Sequence, residues 1–78
     1  MWAKAVGSKG VTGSELVRRL QKDHGCTKLR QKGSHVRMRC GECFTTVPVH
    51  AGENLKIGLL AGIRRDLEPC LGKGWMDR

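Results

Sequence analysis

A chain of 78 residues makes one domain at most, and with 38% hydrophobic and 4% aromatic residues its core is marginal enough to want a staple such as a metal or a bound partner. The formal charge of +8 is unevenly placed: residues 1–39 hold ten Lys/Arg against Glu15 and Asp23, whereas the remainder holds five basic and five acidic residues. An excess confined to one half favours a polyanion partner, nucleic acid ahead of a membrane surface.

Residues 1–11 read as a flexible basic arm, rich in Lys, Gly, Ser and Ala and without the continuous apolar run of a secretory leader. The domain proper is expected over 12–70, with a short tail at 71–78. Thr12-Gly13-Ser14-Glu15 matches a capping box, with Val11 and Leu16 at the hydrophobic-staple positions. A helix is predicted from there to about residue 24, with Leu16, Val17 and Leu20 as its apolar stripe and Gly25 as its left-handed stop. His24, near that C-terminus, reads as a partner of the helix dipole.

From Cys26 the period falls to two. Leu29 alternates with Lys28 and Arg30 up to a turn at Lys32-Gly33-Ser34, which defines a first strand whose parity sends Cys26, Lys28 and Arg30 outward. A second strand over 35–40 puts Val36, Met38 and Cys40 on one face and His35, Arg37 and Arg39 on the other. Gly41-Glu42 suits a two-residue hairpin loop, and a third strand follows over 44–50. Pairing Cys40 with Cys43 sets Met38 against Thr45, Val36 against Val47, Arg37 against Thr46 and His35 against Pro48, with His50 diagonal to His35. Pro48 favours an edge strand.

After a loop at 51–56, Leu59, Leu60, Ile63 and Leu67 recur at helical spacing, and Pro69 is expected to end the run. The apolar stretch 57–63 is too short to span a bilayer. The predicted class is therefore α+β, in the order α-β-β-β-α: a three-stranded antiparallel sheet, two helices on one face, and an opposite face open and positively charged. A cytoplasmic location follows from this reading, with the four cysteines as reduced thiols or metal ligands.

Arg30-Gln31-Lys32-Gly33-Ser34-His35, then Thr46-Val47-Pro48-Val49-His50, then Leu55 through Leu67 resemble the HicA toxin family of type II toxin–antitoxin systems. The likeness runs over about residues 14–67 and rests on pairing a Gly-Ser-His turn with a Val-Pro-Val-His strand at this separation. It implies a double-stranded-RNA-binding-domain-like fold, cleavage of messenger RNA as an mRNA interferase acting in stress response, and neutralisation by a HicB-type antitoxin. Cys26, the Cys40-Gly41-Glu42-Cys43 hairpin and Cys70 depart from the family pattern, as does Leu59, where a small hydroxyl residue is common after Gly58.

The chemistry fits those residue types. RNA can be cut by its own 2′-hydroxyl, which leaves the protein to move protons and to stabilise charge on phosphorus. His35 is the expected catalytic group, because an imidazole titrates near neutral pH. His50 is a second proton carrier, a substrate contact or a strand-end cap. Lys28, Arg30, Lys32, Arg37 and Arg39 are expected to hold phosphates, while Gly33 and Ser34 let backbone approach them. The seven acidic residues are scattered, so metal-dependent catalysis is not expected, and neither is a small-molecule cofactor.

Cys26, Cys40, Cys43 and Cys70 are predicted at one end of the fold, where a structural Cys₄ zinc site would serve as the staple. Free cysteines, a Cys40–Cys43 redox pair and a site completed by His24 remain open beside it. A non-catalytic RNA-binding module with the same fold, and a zinc-ribbon-like protein adaptor, are the rival readings of function.

Overall fold

The structure, a computed structural model, describes residues 10–77. Residues 1–9 of the expected arm lie outside the described residues. The elements are helix α1 (Gly13–Asp23), strands β1 (Thr27–Lys32), β2 (His35–Cys40) and β3 (Cys43–Pro48), helix α2 (Ile57–Leu71) and a closing 3-10 turn (Trp75–Asp77). The strands form one antiparallel sheet in the order β1-β2-β3, so β2 is central and Pro48 sits on an edge strand.

Thr12 caps α1 as its sequence requires. Its hydroxyl accepts from the Glu15 N–H at 3.2 Å, and its own N–H donates to the Glu15 carboxylate at 3.0 Å. That second bond holds the Glu15 carboxyl below its ordinary pKa, because only the charged form accepts it fully. Val11 and Leu16 are both buried, as a staple requires. The loop after β3 returns to this corner: Leu55 N–H donates to the Val11 carbonyl at 2.7 Å, and Thr12 bridges to Asn54.

Gly13 is the residue that lets α1 start there. A Cβ at this position would collide with the Pro48 carbonyl and crowd Val49. The N-terminus of α1 is thereby held against the end of β3, in the strand next to His35.

β2 and β3 pair in the register read from the sequence, from Cys40 opposite Cys43 to His35 opposite Pro48. Gly41 supplies the positive φ (64°) of the connecting turn, and no non-glycine among the described residues has φ above zero. Val36, Met38, Cys40, Thr45 and Val47 are buried beneath the helices. There they meet Leu16, Val17 and Leu20 of α1 and Ile63 and Leu67 of α2. The Thr45 hydroxyl, buried among them, donates to Asp66 at 2.9 Å and so is not left unsatisfied.

Three features of the second helix and the tail differ from the sequence expectation. Pro69 does not end α2, which continues to Leu71 and is capped by Gly72; proline's missing N–H and ring clash act on the turn before it, so the residues after it can stay helical. Leu59 is exposed rather than part of the buried stripe. The residues after Cys70 join the core: Trp75 is 1% exposed, donates its indole N–H to the Arg64 carbonyl at 3.0 Å and meets the His24 ring edge-on at 5.3 Å. His24, expected only to face the helix dipole, is thus a packing partner of the largest buried side chain.

The structure does not support the expected Cys₄ zinc site, and it holds the cysteines bonded in pairs rather than as reduced thiols. The four cysteines do gather at one end, but as two disulfides, Cys26–Cys40 with Cα atoms 4.4 Å apart and Cys43–Cys70 at 6.1 Å. Among the described residues no group of three or more His, Cys, Asp or Glu side chains is placed to hold a metal. Each sulfur on the helix side of the hairpin faces one neighbour: Cys40 looks back to the chain entering β1, and Cys43 looks out to α2.

Gly13→Ala is expected to lower stability by about 1–3 kcal/mol through overpacking against Pro48. Helix propensity alone predicts a gain of about 1 kcal/mol, so the sign of the change in urea midpoint decides. The disulfides close sequence separations of 14 and 27 residues, which chain entropy values at about 3 kcal/mol each. A non-thiol phosphine reductant should therefore lower the urea midpoint sharply, and an unchanged midpoint would show that these bridges do not hold the fold.

Candidate nucleic-acid interface

The helices lie on one side of the sheet, so the other is available to a ligand. Its composition follows from strand parity. β2 contributes His35, Arg37 and Arg39, and β3 contributes Phe44, Thr46 and Pro48 from directly opposite. No acidic residue occupies an outward position on any of the three strands.

β1 completes this face in a way the sequence did not reveal. Its register slips between Lys28 and Arg30: Lys28 pairs with Met38 and Arg30 with Arg37, leaving Leu29 as an extra residue. The bulge reverses the parity of everything before it. Arg30 and Lys32 point outward, opposite Arg37 and His35, as expected. Lys28 moves to the helix side, where it lines a groove of about 370 Å³ with Ser14, Arg18 and Gln21 of α1. The placement of Lys28 on the open face is thus corrected. Cys26, expected outward, turns inward opposite Cys40, and this makes their disulfide geometrically available.

The predicted site residues fall into three places. His35 is exposed at the start of β2, between Lys32 on one side and Pro48 on the other, with Arg37 and Arg39 further along its own strand. Gly33, with φ 59°, and Ser34 form the turn before it. The Ser34 carbonyl accepts from Val49 N–H at 2.6 Å, and Gln31 donates to the Gly33 carbonyl at 3.0 Å, so this turn is fixed from both sides. His50 lies beyond the end of β3. It is exposed and lines a separate hollow of about 210 Å³ with Pro48, Glu53, Asn54 and Lys56.

Phe44, which the sequence reading left aside, and Leu29, which regular strand parity sends inward, both belong to the face. Each is 44% exposed, and with Arg30 and Arg37 they line a shallow concavity of about 360 Å³. The Arg37 guanidinium lies 5.3 Å from the centroid of the Phe44 ring and donates to the Thr46 hydroxyl at 3.0 Å. The outward alternation of β3, with Phe44 opposite Arg39, was the signal that would have found the ring.

The described residues thus form an α+β fold with one sheet face roofed by helices and the other open and cationic. Residues 13–68 match the family model described as the HicA toxin of bacterial toxin–antitoxin systems. The chain therefore belongs to the HicA toxin family. No curated protein and no solved structure matches it significantly. Among the described residues no helix is long and apolar enough to cross a membrane.

Deleting Leu29 is expected to leave a regular β1–β2 ladder with Cys26 still opposite Cys40. Titration under denaturing conditions should then find no free thiol. Two free thiols would mean that the bulge is not what brings Cys26 inward.

Proposed function

We propose that this HicA-family toxin is an endoribonuclease that cuts messenger RNA, with His35 as the group that moves the proton. The observation carrying this reading is the position of His35: an exposed imidazole at the mouth of a fixed glycine turn, on a sheet face where the charged strand residues, among those described, are all cations. Among the described residues, no carboxylate is paired with Arg30, Lys32, Arg37 or Arg39, so their charge is available to phosphates.

The reaction needs only the chain, its substrate and water. A ribose 2′-hydroxyl attacks the adjacent phosphorus, forming the O2′–P bond as the P–O5′ bond breaks. His35 either takes the proton from the attacking hydroxyl while water protonates the leaving O5′, or protonates O5′ while water takes the hydroxyl proton. Lys32 and Arg37, the nearest cations on the face, stabilise charge on the phosphorane-like transition state. His50 fits a substrate-contact role better than a direct relay, since it lines its own hollow and sits outside the ladder. Family membership also supports a HicB-type antitoxin partner that masks the open face until the toxin is released.

His35→Ala should reduce cleavage of a messenger RNA by roughly 10²- to 10⁴-fold while RNA affinity, set mainly by the cations, changes little. Cleavage followed on a gel and binding followed by fluorescence anisotropy check the two halves. Should purified wild-type protein bind RNA and leave it intact, the face is that of a non-catalytic RNA-binding module instead.

A further inference from the structure

The geometry points to a nucleobase subsite on the open face, built on Phe44 and Arg37, which makes an unpaired RNA strand the substrate rather than a duplex. The inference rests on the RNA-directed reading above and adds a specificity-determining residue to it.

A single half-exposed phenylalanine would need no occupant, but this one is not isolated. Arg37 is fixed over it by the Thr46 hydroxyl, and Leu29, pushed outward by the bulge, extends the same apolar floor. Arg30 and Arg39 stand beside this floor, opposite Arg37 and Phe44 respectively. A ligand that fits must therefore offer a flat apolar surface and negative charge a few ångströms away. A nucleotide does both: the base stacks on ring and guanidinium planes while its phosphate meets the arginines.

The charge on the face selects among occupants. An apolar protein segment would leave Arg30 and Arg39 unpaired at the contact, and a second copy of this chain would bring cations against cations. Paired bases turn their edges, not their planes, towards a protein, so the stack needs a base that is free of its partner.

The placement also sets a distance. Phe44 lies four residues from Pro48, the partner of His35, or about 13 Å at ~3.3 Å per residue. At the ~3.4 Å rise of a helically stacked strand that is about four nucleotides, and fewer for an extended one. The base held by Phe44 is therefore a few nucleotides from the bond that is cut.

The test uses the full chain carrying His35→Ala, so that RNA is bound without being consumed. Affinity is measured for a 12-nucleotide single-stranded RNA, for the same sequence as a duplex, and for inorganic polyphosphate as a baseless polyanion. Adding Phe44→Ala should weaken single-strand binding about 5- to 140-fold, the range that base stacking spans, with polyphosphate affinity unchanged. Phe44→Trp should restore it. The salt slope should be the same with Phe44→Ala as without it, whereas Arg30→Ala should reduce it. In the cleaving enzyme, Phe44→Ala should raise KM with little change in kcat.

Single-strand affinity indifferent to Phe44, with cleavage intact, would overturn the subsite while leaving the nuclease reading in place; the ring would then belong to a protein contact. Equal loss for polyphosphate would also overturn it, since that loss reports charge or folding. If the His35→Ala protein binds none of the three probes, the subsite and the RNA reading fall together.

Discussion

A residue in a β-strand has two directions available to its side chain, and the central strand of this sheet spends them with complete regularity. Val36, Met38 and Cys40 go beneath the helices, while His35, Arg37 and Arg39 go the other way. Because β2 touches both other strands, its alternation fixes what they must present: Thr45 and Val47 inward from β3, Phe44, Thr46 and Pro48 outward. Core and site are in this sense one pattern. A one-residue slip of β2 would bury arginines and expose the hydrophobic core at once.

Beneath this pattern the stability is spread over several small devices. The domain has few large side chains, and it compensates by drawing Trp75 and Met76 from its last turn into the core and by tying the hairpin to its surroundings with two disulfides. None of these devices uses the open face, which leaves the arginines there free of structural duty except Arg37, anchored by Thr46. His35 likewise owes its position to backbone bonds made by its neighbours rather than to contacts of its own ring. Charge and chemistry can therefore vary on one side of the sheet at little cost to the other.

The parts legible in the sequence were those governed by local rules. The capping box at Thr12, the stripe of α1, the turn at Gly41-Glu42 and the whole β2–β3 register each follow from a few adjacent residues, and His35 was placed correctly as a result. What escaped depends on distant partners. Thr27-Lys28-Leu29-Arg30-Gln31-Lys32 is polar at almost every position, so nothing in it marks a bulge, and the faces of Lys28 and Cys26 were assigned to the wrong side. Gly13 looks like any residue in a helix's first turn until Pro48 is seen against it. Trp75 sits in a three-residue turn with no periodicity to betray its burial. The topology places the cysteines at one end of the fold, but proximity alone cannot distinguish four ligands from two pairs; the bonding of Cys26 to Cys40 and of Cys43 to Cys70 does.

The two disulfides enclose consecutive, non-overlapping stretches of chain, 26–40 and 43–70, with the β2–β3 turn between them. The first ring contains the glycine turn before His35, and the second contains the loop that carries His50. A protease that opens the backbone at either place, both with exposed residues, produces fragments that are still one covalent molecule. The working surface can thus be nicked at these two corners without the molecule coming apart.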